Sequence, residues 1–213
     1  MHRTIQRVFA LVLLSCLPLL ASAQSLPRPA EFYFDEDTAV AQPIVAIEGS
    51  GEAVIEQLIQ QMDRGRRNND RAAAQLAHIS MASGRVDTGK ALYARATGMA
   101  SSAQMRHSLA WNHGWDLYRL GDIDGALVQW MLAFNNRGAV RPAWVPPTLA
   151  LALWKLDRKP EAIAWYAAAV RTYPDRWAYE ASLPGLLPDW SEEDRATLSE
   201  VLAAWREDPP TWP

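Results

Sequence analysis

Beyond the first residues of the chain, the side chains that titrate near neutral pH are His78, His107 and His113. Their spacing does not suit metal chemistry. His107 and His113 are six residues apart, which puts them on different faces of a helix, and no H-E-x-x-H pair exists to hold zinc. The single cysteine, Cys16, lies in a stretch that reads as a removable leader, so no thiol ligand or nucleophile is expected downstream. Gly49-Ser50-Gly51 is not a G-x-S-x-G nucleophile elbow and precedes a helix start, and no glycine-rich phosphate loop occurs. Asp122, Asp124, Glu192 and Glu193 stand at predicted helix starts, where the helix dipole favours an acid without any catalysis. The residues therefore point to a protein that is not an enzyme, with no metal site and no cofactor. A hydrolase built on a glycosidase-like carboxylate pair is the weakest alternative.

Aromatic residues have spacing better suited to binding. All ten tryptophans fall between positions 111 and 212. Trp111, Trp115 and Tyr118 are four and three residues apart and share one face of a helix. Trp130 falls on a core position of the pattern described next, whereas Trp165 adjoins a core tyrosine and is ambiguous. Trp177, Trp190, Trp205 and Trp212 gather near the C-terminus, where packing is the default role.

The elements that must position these residues repeat. The stretch SGRVDTGKALYARA from Ser83 is followed by LGDIDGALVQWMLA from Leu120 and LDRKPEAIAWYAAA from Leu156. Gly84 to Gly121 is 37 residues and Gly121 to Asp157 is 36, a period that marks stacked helical hairpins. The pattern predicts helix pairs at 71–82 with 87–99, at 105–120 with 124–134, and at 147–156 with 160–172, hinged at Gly84, Gly121 and Asp157. Val54, Ile55, Leu58, Ile59 and Met62 predict an amphipathic helix from Glu52, with Arg64, Arg66 and Arg67 at its C-terminal end. Ser191-x-x-Asp194 approximates a capping box for a helix over 191–206, which would close the end of a stack. Residues 207–213 read as a tail.

The ends differ in composition. Arg3 and Arg7, an apolar run from Val8 to Leu20, and Ala21-Ser22-Ala23 read as a signal peptide over 1–23. Leu13-Leu14-Ser15-Cys16 resembles a lipoprotein box, but the apolar run continues past Cys16 to a better cleavage site. An exported protein of the periplasm follows, without disulfides and dependent on its apolar core. Residues 24–50 carry Pro27, Pro29 and Pro43, with Glu31, Asp35, Glu36 and Asp37 around Phe32-Tyr33-Phe34, and predict an extended or loosely docked arm. Without Arg3 and Arg7, the 21 basic residues fall to 19 against 24 acidic, which disfavours nucleic acid as a partner. No later apolar run is long enough to span a bilayer.

The repeats resemble tetratricopeptide repeats, most clearly in the second. Gly114 supplies the small residue of its first helix, Leu117 the large one, and Leu120-Gly121-Asp122 the turn. Ala126, Trp130 and Ala133 supply the small–large–small pattern of its second helix. Ala150, Leu153, Asp157, Ala162, Tyr166, Ala169 and Pro174 correspond in the third. The first has Ala77, Gly84, Tyr93 and Ala96, but Gly89 where alanine is usual and Ser80 where a large apolar residue is usual. The resemblance implies an all-α, right-handed superhelix of about three repeats (about 70–102, 105–140 and 144–174) within a helical domain over 51–206. It also implies a concave face. In repeat two that face carries Trp111, Trp115 and Tyr118; in repeat three Leu151, Trp154 and Lys155; in repeat one Ala74, His78 and Met81. Arg119 and Lys155 would edge an aromatic groove for a peptide or protein partner in the cell envelope. The family's mode of clamping a C-terminal carboxylate is not carried over, because only Asn112 fits it and Trp111 and Trp115 do not. Two alternatives stay open. The chain's own ends could fill the groove, or the tryptophans could stack on cell-wall or exopolysaccharide sugars. An envelope hydrolase is the weaker alternative.

Overall fold

Each of the three predicted hinges is the point where the backbone turns left-handed. Gly84 has φ +80°, Gly121 +81° and Asp157 +56°. The computed structural model describes residues 26, 29, 41–63, 69–135 and 143–211, and within them every regular element is helical, with no strand. The expectations for the 1–23 leader, the 31–37 acid cluster and the 64–67 arginines lie outside the described residues.

The elements are α1 (Glu52–Asp63), α2 (Asn69–Ala82), α3 (Val86–Met99), α4 (Ala103–Arg119), α5 (Ile123–Asn135), α6 (Val145–Lys155) and α7 (Lys159–Thr172). After them come the short turns α8 (Pro174–Trp177) and α9 (Leu183–Leu186), then α10 (Glu192–Glu207). The helices α2–α3, α4–α5 and α6–α7 form the three predicted pairs. Most begin one or two residues earlier than the apolar pattern indicates. In α4 the cause is Ser102, whose hydroxyl accepts from the Met105 N–H at 3.1 Å and caps a turn that buries little.

The turn inside each pair is the same hydrogen-bonded device. Gly121 N–H donates to the Tyr118 carbonyl and Asp122 N–H to that of Leu117. Gly84 with Met81 and Arg85 with Ser80 repeat this in the first pair, and Asp157 with Trp154 and Arg158 with Leu153 in the third. This is the Schellman arrangement, which needs a left-handed residue at its centre. Glycine supplies it twice and aspartate once, so one sequence period recurs as one backbone geometry.

Side chains repeat with the turns. Ala77, Gly114 and Ala150 are buried at equivalent places on the first helices. Tyr93, Trp130 and Tyr166 are buried at equivalent places on the second helices, followed by Ala96, Ala133 and Ala169. The small residues let the backbones approach and the large ones fill the groove that results. Contact is closest at Gly114, where an added Cβ would lie 2.3 Å from Trp130 Nε1. That indole N–H donates to the Trp111 carbonyl at 3.3 Å. The Gly89 departure in the first pair has a steric cause. A Cβ on Gly89 would fall 2.2 Å from Met81 Cγ, so the Met81 side chain occupies the space of an alanine methyl.

The chain ends pack on the array. α10 lies on α6 and α7, and Ser191 caps it by accepting from the Asp194 N–H at 3.0 Å. At the other end α1 packs on α2, burying Val54 and Leu58 against Ala72 and Leu76 in a separate small core. Pro174 ends α7 as expected but also begins α8, since proline suits a first helical turn.

Candidate partner-binding groove

The first helices of the pairs present their equivalent positions to one groove. Ala74, Trp111 and Pro147 line it in register, as do Gln75, Asn112 and Thr148, and Ala82, Arg119 and Lys155. Residues 41–45 and 49–51 form one flank, and residues 186–191 with Glu193 and Asp194, from the end of α9 into the start of α10, form another. The groove is open along one side and has a volume of about 1750 Å³, larger than a drug-sized pocket.

Trp111, Trp115 and Tyr118 share one wall, as their spacing requires. The Trp115 ring meets Trp111 at 5.7 Å, Tyr118 at 5.5 Å and the underlying Trp130 at 5.1 Å, each between centroids. Trp111 is 6% exposed and Tyr118 8%, whereas Trp115 is half-buried. Trp111 is covered by Trp144, whose ring lies 4.1 Å away, and Trp190 reaches across to Trp115 at 5.3 Å. His78, Arg119 and Lys155 also line the groove.

The third repeat is placed differently. Leu151 is fully buried and belongs to the core. Trp154 faces α10, donating its indole N–H to Glu200 at 2.9 Å, with the Lys159 ammonium 5.0 Å above its ring. Lys155 reaches Glu193 at 2.6 Å and Asp194 at 3.9 Å. The C-terminal helix thus covers the repeat-three part of the face; in repeats one and two Ala74, Trp111 and Tyr118 are also buried, and exposed His78 and Arg119 with half-buried Trp115 remain accessible. Asn112 donates to the carbonyls of Gln42 and Ser108, which engages it within the chain. The 41–51 segment is held by Gln75, which accepts from the Ala46 and Ile47 N–H groups and donates to the Ile47 carbonyl.

Two buried carboxylates organise the groove; sequence marked Asp194 for the α10 cap alone and did not mark Asp116. Asp116 sits beneath the wall, its side chain 4% exposed. Its Oδ2 accepts from the Tyr93 hydroxyl at 2.7 Å, while His78 Nδ1 and an Arg119 N–H approach Oδ1 at 2.8 and 3.4 Å. Asp194 accepts from the Tyr118 hydroxyl at 2.5 Å and the Ser191 hydroxyl at 2.7 Å, tying α10 to α4. Each tyrosine hydroxyl is held protonated, its pKa raised by burial and by the neighbouring carboxylate. The hydrogen bond to Asp116 raises the His78 pKa above its usual value. Burial lowers that of His113, which stacks on Tyr93 at 4.4 Å. The signal available in sequence was one acid on the apolar side of α4, at i−2 from Tyr118; besides Arg119 on its own helix, its partners come from α2 and α3, which spacing alone does not reveal.

Among the described residues no group of three or more His, Cys, Asp or Glu side chains is arranged to hold a metal ion, and no helix is long and apolar enough to cross a membrane. The arrangement offers aromatic surface, a few charges and a shaped space. No family model, curated protein or solved structure matches the chain.

Proposed function

We propose that this is an exported helical-repeat protein of tetratricopeptide type, acting without catalysis as a scaffold in the bacterial cell envelope. It holds a peptide or protein partner in the groove formed by α2, α4 and the start of α6. The observation that carries the reading is the register of that groove. Equivalent positions of successive repeats line one open space, and repeat two places half-buried aromatic surface there. Aromatic anchors in a preformed groove give affinity at low ordering cost, and a nearby arginine adds direction. The 1–23 leader and the A-x-A site at Ala21–Ala23 support export to the periplasm.

A second reading, glycan binding, is favoured by the half-buried rings of Trp115, Trp144 and Trp190, which could stack on sugars. The test compares wild type with Trp115→Ala in crosslinked pull-downs from envelope extracts and in sedimentation with purified cell wall. A discrete protein partner lost in the variant supports the scaffold. Cell-wall retention lost in the variant favours the glycan. The same partners recovered by both proteins would sink the groove as the binding site.

A further inference from the structure

His78 and Arg119 come from different repeats, yet both reach the same oxygen of Asp116. That carboxylate is almost wholly buried and its other oxygen is occupied by Tyr93, so its negative charge lies behind the groove wall. The two partners stand in front of it. The His78 side chain is 53% exposed and that of Arg119 61%. Among the described residues His78 has no hydrogen-bond partner beyond Asp116, and Arg119 adds its placement 5.8 Å over the Trp115 ring. One imidazole nitrogen and most of the guanidinium N–H groups therefore remain for a ligand. The other cations of the groove are differently disposed. Lys155 is neutralised by Glu193 and Asp194, and Arg176 lies over Tyr173. Asp189 stands on the flank beside Trp190, where it would repel an acid. The charge pattern runs from positive at the α2–α4 wall to negative at the C-terminal flank, with aromatic rings between.

We propose that His78 and Arg119 form a carboxylate-binding subsite of the groove, and that the partner is an acidic peptide segment whose carboxylate lies next to an aromatic or large apolar side chain. The carboxylate accepts from Nε2–H of the protonated His78 ring, whose Nδ1–H donates to Asp116, and from the Arg119 guanidinium, and the neighbouring side chain packs on Trp115. Charge complementarity sets the peptide's direction, with its acid toward α2 and α4 and away from Asp189. The inference rests on the groove being a partner site and adds the chemistry of the occupant.

The test uses the full chain and three end-blocked, fluorescently labelled hexapeptides, alternating phenylalanine with aspartate, serine or lysine. Binding is read by anisotropy, and its location by the Trp115 indole resonance in NMR. The aspartate peptide is expected to bind roughly tenfold more tightly than the serine peptide, the effect of one charge-assisted hydrogen bond. Arg119→Gln should weaken the aspartate peptide far more than the serine peptide and so remove most of that advantage, whereas a merely structural role would weaken both alike. Equal binding of aspartate and serine peptides at Trp115 would overturn the carboxylate subsite while leaving the groove standing. No peptide perturbing Trp115, with cell-wall oligosaccharide doing so instead, would overturn the groove reading as well. The chain's own acids are the competing occupant. If changing Glu31, Asp35, Glu36 and Asp37 to their amides raises the aspartate peptide's affinity, the subsite serves that segment and the proposed partner is wrong.

Discussion

Replacing Gly114 by alanine tests the link between the repeat and the groove. The added methyl would lie 2.3 Å from Trp130 Nε1, 2.5 Å from Cδ1 and 2.9 Å from Cε2. Ordinary carbon contacts need about 3.5–4.0 Å, so the indole must retreat by about 1 Å. It has little room, because Trp130 is fully buried beneath Trp111, Trp115 and Tyr118. Overpacking of this kind costs about 1–3 kcal/mol or somewhat more, and losing the Trp130 bond to the Trp111 carbonyl adds about 1 kcal/mol. Alanine's better helix propensity returns about 1 kcal/mol. The net destabilisation is about 1–3 kcal/mol. For a domain of this size that lowers Tm by roughly 2–12 °C. Thermal unfolding followed by far-UV circular dichroism measures it, and near-UV signals report the tryptophan cluster. Trp130→Leu, which clears the indole, should cost stability alone yet add less in the Gly114→Ala background. A Gly114→Ala protein as stable as wild type, with an unchanged near-UV spectrum, would refute the close approach and the stacking built on it.

Asp157 adopts the left-handed conformation that glycine adopts at Gly84 and Gly121, with its side chain 89% exposed. Asp157→Gly should therefore stabilise the protein by about 0.5–1 kcal/mol, read as a raised urea midpoint, while Gly121→Ala should destabilise by about 1 kcal/mol. Tyr118→Phe removes a donor from the buried Asp194 and should cost about 1–3 kcal/mol, with hydrogen exchange accelerated in α10 before the paired helices. The two histidines beside Tyr93 should titrate apart in NMR, His78 above 6.5 and His113 below it. The raised His78 pKa contributes stability that is complete below 6.5 and is lost as pH rises through the folded value. The lowered His113 pKa contributes stability that is present above 6.5 and is lost as pH falls through its folded value.

The paired helices were legible because one physical requirement recurs at a fixed spacing. A left-handed hinge at Gly84, Gly121 and Asp157, and a small residue at Ala77, Gly114 and Ala150, are needed wherever two helices fold back closely. Ser191 announced α10 for the same local reason, since a cap acts within four residues. The groove was legible only in part. The spacing of Trp111, Trp115 and Tyr118 fixes their common wall, but burial depends on what covers it. Trp144, Trp190 and α10 arrive from distant sequence and enclose Trp111, Leu151 and Trp154 to different degrees. Asp194 was legible as part of the α10 cap, but its bond to Tyr118, and those of Asp116 to Tyr93 and His78, were not, because these partners lie on other elements. An acid in a helical pattern reads as solvated until a tyrosine 23 or 76 residues away meets it.

The most direct measurement places a photo-crosslinking amino acid at position 82, an exposed position that lines the groove in register with Arg119 and Lys155. The control places it at position 128 on α5, which is 56% exposed and does not line the groove. Irradiation in the producing cell, followed by mass spectrometry of the adducts, should give a discrete partner peptide from position 82, with acidic and aromatic residues at the crosslink, and none from position 128. Adducts absent from position 82, or shared equally by both positions, would contradict a partner-binding groove.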